Sequence, residues 1–100
     1  MKYNYRVLDI ATAEILEAAL WYHDKRTGLG DELITCFEAS LETIIRNPLS
    51  FEKRYRDLRL TNINRFPYQI VFYEKNFTVT VVAFSHGKRN PNYWKSRNKL

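Results

Sequence analysis

The sequence is short of the residues that metal and redox chemistry draw on. Its 100 residues include one cysteine, Cys36, and two histidines, His23 and His86, far apart along the chain. One thiol forms no internal disulfide and no multi-thiolate centre, and the histidine spacing matches no Cys/His motif. Neither a metal nor a cofactor is expected. The lone thiol agrees with a reducing compartment and lies inside a helical pattern, where it reads as core. A Cys36–His86 nucleophile pair would need that thiol to reach the sheet surface. Glycine occurs three times, and GLG at 28–30 lacks the GxxxxGK[ST] form of a phosphate loop, so it reads as a turn. No apolar run approaches the roughly 20 residues that span a bilayer, and MKYNYRVLDI has no signal-peptide apolar stretch. A cytoplasmic protein with no membrane partner is expected.

Apolar residues make up 45% of the chain and aromatics 15%, enough to offset ordering entropy, so the chain should fold. Its length suits one domain, residues 1–100, with one modest core. Charge is divided unevenly. Residues 1–50 hold five Lys/Arg against eight Asp/Glu, net −3, whereas residues 51–100 hold eleven against three, net +8. The closing run FSHGKRNPNYWKSRNKL has no carboxylate at all. Positive charge gathered this way forms a face that attracts polyanions.

Residues 2–8 alternate with the period of a strand. From Asp9 the period changes: Ala11, Ile15, Ala18 and Tyr22 make one face of an amphipathic helix of about four turns, with Glu14, Glu17 and Asp24 off that stripe. Gly28 and Gly30 permit the left-handed geometry that ends helices. A second helix follows on Leu33, Ile34, Phe37, Leu41, Ile44 and Ile45, stopped by Asn47-Pro48. Further on, residues 57–63 read as a strand. YQIVFYE and FTVTVVAFSH, separated by Lys75-Asn76, read as a hairpin. The expected fold is α+β: a strand, a two-helix antiparallel hairpin on one face of an antiparallel sheet in the order β-α-α-β-β-β, and a short C-terminal turn or helix. The other sheet face can then stay wet.

The basic residues Arg54, Arg56, Arg59, Arg65, Lys88, Arg89, Lys95, Arg97 and Lys99 cluster around strand ends, which an antiparallel sheet can bring together. Guanidinium groups suit phosphate because their fork donates two hydrogen bonds and stays charged. The same residues equally form a solvated surface. Tyr93 and Trp94 either stack on unpaired bases or pack the C-terminal turn onto the sheet. His86 shares strand parity with Val82 and Phe84, which puts it beside the core or at a strand cap. A ribonuclease using the 2′-hydroxyl needs a base, phosphate-binding cations and an acid, which His, Arg and Tyr supply without a metal.

Three stretches, WYHDKRTGLGDELITCFEASLETIIRNP, YRDLRLTNINRFPYQIVFYE and VTVVAFSHGKRNPNYWKSR, resemble the RelE/ParE superfamily of bacterial toxins, also known as plasmid-stabilisation proteins. The pattern comprises a Tyr-rich helix end with GLG, an Asn-Pro helix stop, R-F-P-Y entering a strand, and H-x-x-R-x-P-x-x-W-x-x-R at the end. The resemblance implies a growth-arresting toxin neutralised by a cognate antitoxin. Its target is either the ribosome with mRNA, which RelE-like members cleave, or DNA gyrase, which ParE-like members poison by binding. In the first case the resemblance points to Arg65, His86, Arg89 and Tyr93 as catalytic. Arg56, Arg59, Lys88, Trp94 and Arg97 are the expected contacts to target or antitoxin. Gln69 stands where the ribonucleases tend to place an arginine, and Leu58-Arg59-Leu60 lacks their paired lysines. Both departures favour the binding inhibitor.

Overall fold

The computed structural model describes residues 2–99, with side chains through residue 97; the side chain of Lys99 lies outside them. The elements are β1 (Asn4–Val7), α1 (Asp9–Lys25), α2 (Leu29–Arg46), β2 (Lys53–Tyr55), β3 (Leu58–Asn62), β4 (Tyr68–Lys75), β5 (Thr78–His86) and the single turn α3 (Asn92–Lys95). Short 3-10 turns follow α2 and α3.

The strands form one sheet in the order β1-β5-β4-β3-β2. Strands β2 to β5 pair antiparallel, as expected, but β1 joins β5 in parallel, with Asn4 opposite Thr78 and Val7 opposite Val81. Short turns force antiparallel pairing on the later strands. Strand β1 is under no such constraint, because both helices and three strands separate it from β5. The helical hairpin carries the chain out and back, so that Ile45 near the end of α2 accepts a hydrogen bond from the Tyr3 N–H at 2.8 Å.

The helices cover one sheet face. Ala11, Ile15, Leu33, Phe37, Leu41 and Ile44 pack there against Ile70, Phe72, Val79, Val81 and Phe84. Each large side chain fully removed from water contributes about 1.5–3 kcal/mol. The second face is not left wet. Trp94 in α3, 4% exposed, packs onto Leu58, Val71, Tyr73, Val82 and Ala83. Thus the C-terminal turn builds a smaller second core.

Two local departures from the sequence pattern matter. Helix α1 buries Ala11, Ile15 and Ala18 as the stripe predicts, yet its outer side also carries exposed Leu16, Leu20 and Trp21. The β4–β5 turn is centred on Asn76 and Phe77, at φ 52° and 61°, one residue later than the expected Lys75-Asn76. Left-handed geometry at both central residues matches the twist of a hairpin. Phe77 is an unusual occupant, and its ring stacks on Tyr3 with centroids 4.0 Å apart.

Of the two turn glycines, Gly28 alone is left-handed, at φ 90°, between the helices. Gly30 lies inside α2, where a Cβ would stand 2.3 Å from the Ala19 carbonyl oxygen of α1. Its missing side chain sets the closeness of the helical hairpin. Because the opposing atom is backbone, Gly30→Ala must push the helices apart. We expect a loss of about 1–3 kcal/mol in urea unfolding; an unchanged midpoint would show that the hairpin has room to spare.

Candidate functional site

The site grows out of an irregularity in β5. Val71 pairs with Ala83 but Phe72 pairs with Val81, so Val82 is an extra residue in the ladder. A bulge of this kind resets the alternation of faces. Val79 and Val81 belong to the helix-side core, Val82 and Ala83 both to the opposite core, and Phe84 to the helix side again. Strict alternation groups His86 with Val82 and Phe84; the bulge breaks the link with Val82 and leaves His86 with Phe84, facing α1.

Beyond the Val7–Val81 pair, β5 has no strand neighbour on the β1 side. Its exposed backbone is met by side chains. The Phe84 N–H donates to Glu14 Oε1 at 3.1 Å, and Arg97 Nη1 donates to the Val82 carbonyl at 2.9 Å. Arg97 also grips both Glu14 oxygens, at 3.0 and 3.3 Å, in a fork-to-carboxylate pair whose side chains are 11% and 17% exposed. One ion pair therefore caps the strand edge and fastens the C-terminal turn to α1.

That turn closes a cleft of about 480 Å³ with α1 and the ends of β4 and β5. His86, Arg89 and Tyr93 meet on its wall, together with Glu14, Glu17, Trp21, Tyr22 and Tyr68. The His86 ring stands edge-on to Tyr68, with centroids 5.3 Å apart, and its Nδ1 accepts a hydrogen bond from the Lys88 N–H at 3.1 Å. A neutral ring accepting at Nδ1 carries its proton on Nε2 and so offers a donor there. The Arg89 guanidinium lies 3.8 Å from the centre of the Tyr93 ring, and that of Arg97 lies 5.0 Å from the same ring. The Tyr93 hydroxyl is shielded from water without a well-formed hydrogen bond, Ser85 being its polar neighbour. Burial pushes the pKa of Tyr93 up, and burial does the same to Tyr68.

Arg65 is not on the cleft wall. It sits in the β3–β4 connection at φ 70° and forms an ion pair with Glu32 of α2 at 2.6 Å. Glu32 also receives Arg26 at 3.2 Å. The hydrogen bond from Arg65 lowers the Glu32 pKa and raises that of Arg65 in return. Three members of the expected catalytic set thus share a cleft, while the fourth serves the helical hairpin.

The expected contact residues also divide. Arg56 and Lys88 are exposed. Arg59 donates to the Phe51 carbonyl, Arg97 is held by Glu14, and Trp94 presents almost no surface. Sequence reasoning passed over Glu14, Glu17, Trp21, Tyr22 and Tyr68 as cleft residues. The available signal was that Glu14 and Glu17 flank the buried Ala18, so α1 presents them beside the core rather than opposite it. Among the described residues no group of three His, Cys, Asp or Glu side chains could hold a metal ion, and no helix is long and apolar enough to cross a membrane.

No protein-family model and no curated protein matches the chain. Among solved structures, a chain of the "Chromosomal ParDE TA system from P. aeruginosa" is similar, with a TM-score of 0.76 at 10% sequence identity, over 85% of this chain and 96% of that one. At this identity the likeness is one of fold.

The ion pairs give two expected outcomes. Arg97→Ala leaves Glu14 enclosed without its cation, which should cost about 2 kcal/mol. Hydrogen exchange should quicken in residues 88–97 ahead of the rest; protection unchanged there would mean that the turn is held by Trp94 alone. The second concerns acid. A carboxyl whose folded pKa is depressed stabilises the fold above its unfolded pKa and loses that contribution as pH falls through the folded value. Glu32→Gln should therefore lower the urea midpoint near neutrality and converge with the parent in acid below the carboxylate range; a gap that persists in acid would point to packing instead.

Proposed function

We propose that this chain is the toxin of a type II toxin–antitoxin pair, held inactive in the cytoplasm by a cognate antitoxin and arresting growth when released. Its fold is that of a chain from a ParDE system, and the motifs from Tyr22 to Arg97 agree with that assignment. The exposed Leu16, Leu20 and Trp21 on α1 offer an apolar strip to the antitoxin, and the cations of the second half offer it charge.

The toxin acts by gripping DNA gyrase rather than by cutting message. The observation that carries this choice is the position of Arg65. A metal-free ribonuclease needs cations around the phosphorane, yet Arg65 is bound to Glu32 outside the cleft, and Gln69 adds no charge from β4. The cleft supplies Glu17 instead, a carboxylate with no ion-pair partner among the described residues.

The gathering of His86, Arg89 and Tyr93 on one wall favours a second reading, a RelE-like endoribonuclease acting on ribosome-bound mRNA. The two separate cleanly in assay. For the gripping reading, purified protein should inhibit supercoiling by gyrase and trap cleaved DNA, while message stays intact during growth arrest. Position-specific cuts in translated mRNA that vanish in His86→Ala and Arg89→Ala, with supercoiling untouched, would replace it with the ribonuclease. Growth unaffected by expression without antitoxin would remove both.

A further inference from the structure

A second depression lies across the sheet from the cleft, between β2, β3 and the C-terminal turn. Its volume is about 320 Å³. Arg54, Arg89 and Lys95 rim it, and no carboxylate lines it. Elsewhere Lys2, Arg26, Arg46, Lys53, Arg65 and Arg97 each meet a carboxylate, while exposed Arg56, Lys75 and Lys88 meet none among the described residues but do not line this depression. Arg54, Arg89 and Lys95 form no ion pair among the described residues. Three unneutralised cations around one concavity focus positive potential there.

The floor of this groove narrows the choice of anion. Leu60 and Trp94 make it apolar, and Gln69 contributes a neutral amide. Single-stranded nucleic acid is held by stacking of bases on open aromatic faces as well as by charge. Neither ring here is open. Trp94 is 4% exposed, and Tyr55 carries Lys95 Nζ at 4.8 Å and the Arg56 guanidinium at 5.4 Å from its centre. The remaining contacts are cations at the rim, small apolar surface below and one amide suited to a peptide backbone.

We propose that this groove binds an extended acidic peptide segment of a protein partner, with carboxylates on Arg54, Arg89 and Lys95 and an apolar side chain seated over Leu60. The inference stands apart from the choice between gyrase and ribosome, since it concerns the groove and not the cleft. It has one consequence for the cleft, because Arg89 borders both. An occupant of the groove neutralises Arg89 for anything bound in the cleft.

The test is fluorescence anisotropy on the full chain with a labelled peptide of alternating glutamate and valine. A lysine–valine peptide and an oligothymidylate of equal length serve as comparison probes. The acidic peptide should bind, and its affinity should fall with added salt. The double change Arg54→Glu, Lys95→Glu should weaken it by about tenfold or more. Lys75→Glu, an exposed charge reversal at the β4–β5 turn, should leave it unaltered. Circular dichroism of each variant separates lost binding from lost fold. Equal binding by a folded double variant, or no peptide binding at all, overturns the proposal. Tighter binding of the oligothymidylate overturns it in favour of nucleic acid.

Discussion

The exposed edge of β5 beyond Val81 is the constraint on which the rest of the structure turns. Backbone donors and acceptors half-buried without partners are costly, and β1 is too short to reach them. Glu14 and Arg97 meet two of these groups and one another, so a single ion pair joins α1, β5 and the C-terminal turn. It keeps Trp94 over the second sheet face, it holds Tyr93 beside two guanidinium groups, and it gives both cleft and groove their shared wall.

Net charge alone would misjudge this surface. The second half of the chain carries +8, but much of the arginine is consumed in architecture: Arg65 braces the helical hairpin, Arg59 caps a backbone carbonyl and Arg97 closes a strand edge. Guanidinium is well suited to such work because it stays charged and donates in several directions. Of the cations left without a carboxylate, Arg54, Arg89 and Lys95 are gathered around one concavity.

This explains which parts were legible in the sequence. Helix periodicity from Ala11 to Ile45 and the alternation through β4 and β5 follow from burial on one face, which leaves a direct trace in residue type. The Asn47-Pro48 stop is likewise local chemistry. The hairpin of β2 and β3 was hidden because Arg56, not glycine or asparagine, occupies its left-handed turn position at φ 52°. The parallel placement of β1 depends on pairing between distant segments, and the bulge at Val82 sits in an uninterrupted apolar run where nothing marks the extra residue. For the site, the resemblance implied His86, Arg89 and Tyr93 together, and the three line one cleft. The partner of Arg65 was unreadable, because Glu32 lies on the other element of the contact and no local rule links the two.

The bulge also bears on chemistry. By turning His86 toward α1, it puts the ring in a cleft that contains Glu17 as well as Arg89. A phosphate there meets attraction and repulsion together, in a space partly shielded from water where both are strengthened. A transition state with extra negative charge on phosphorus gains little from such balanced surroundings. The groove differs in kind, since its rim has one sign of charge only. An anion is therefore drawn to the face where nothing reactive waits for it, and the residues with chemical capacity line the face that an anion does not prefer. Charge is thereby separated between the two sides of one turn.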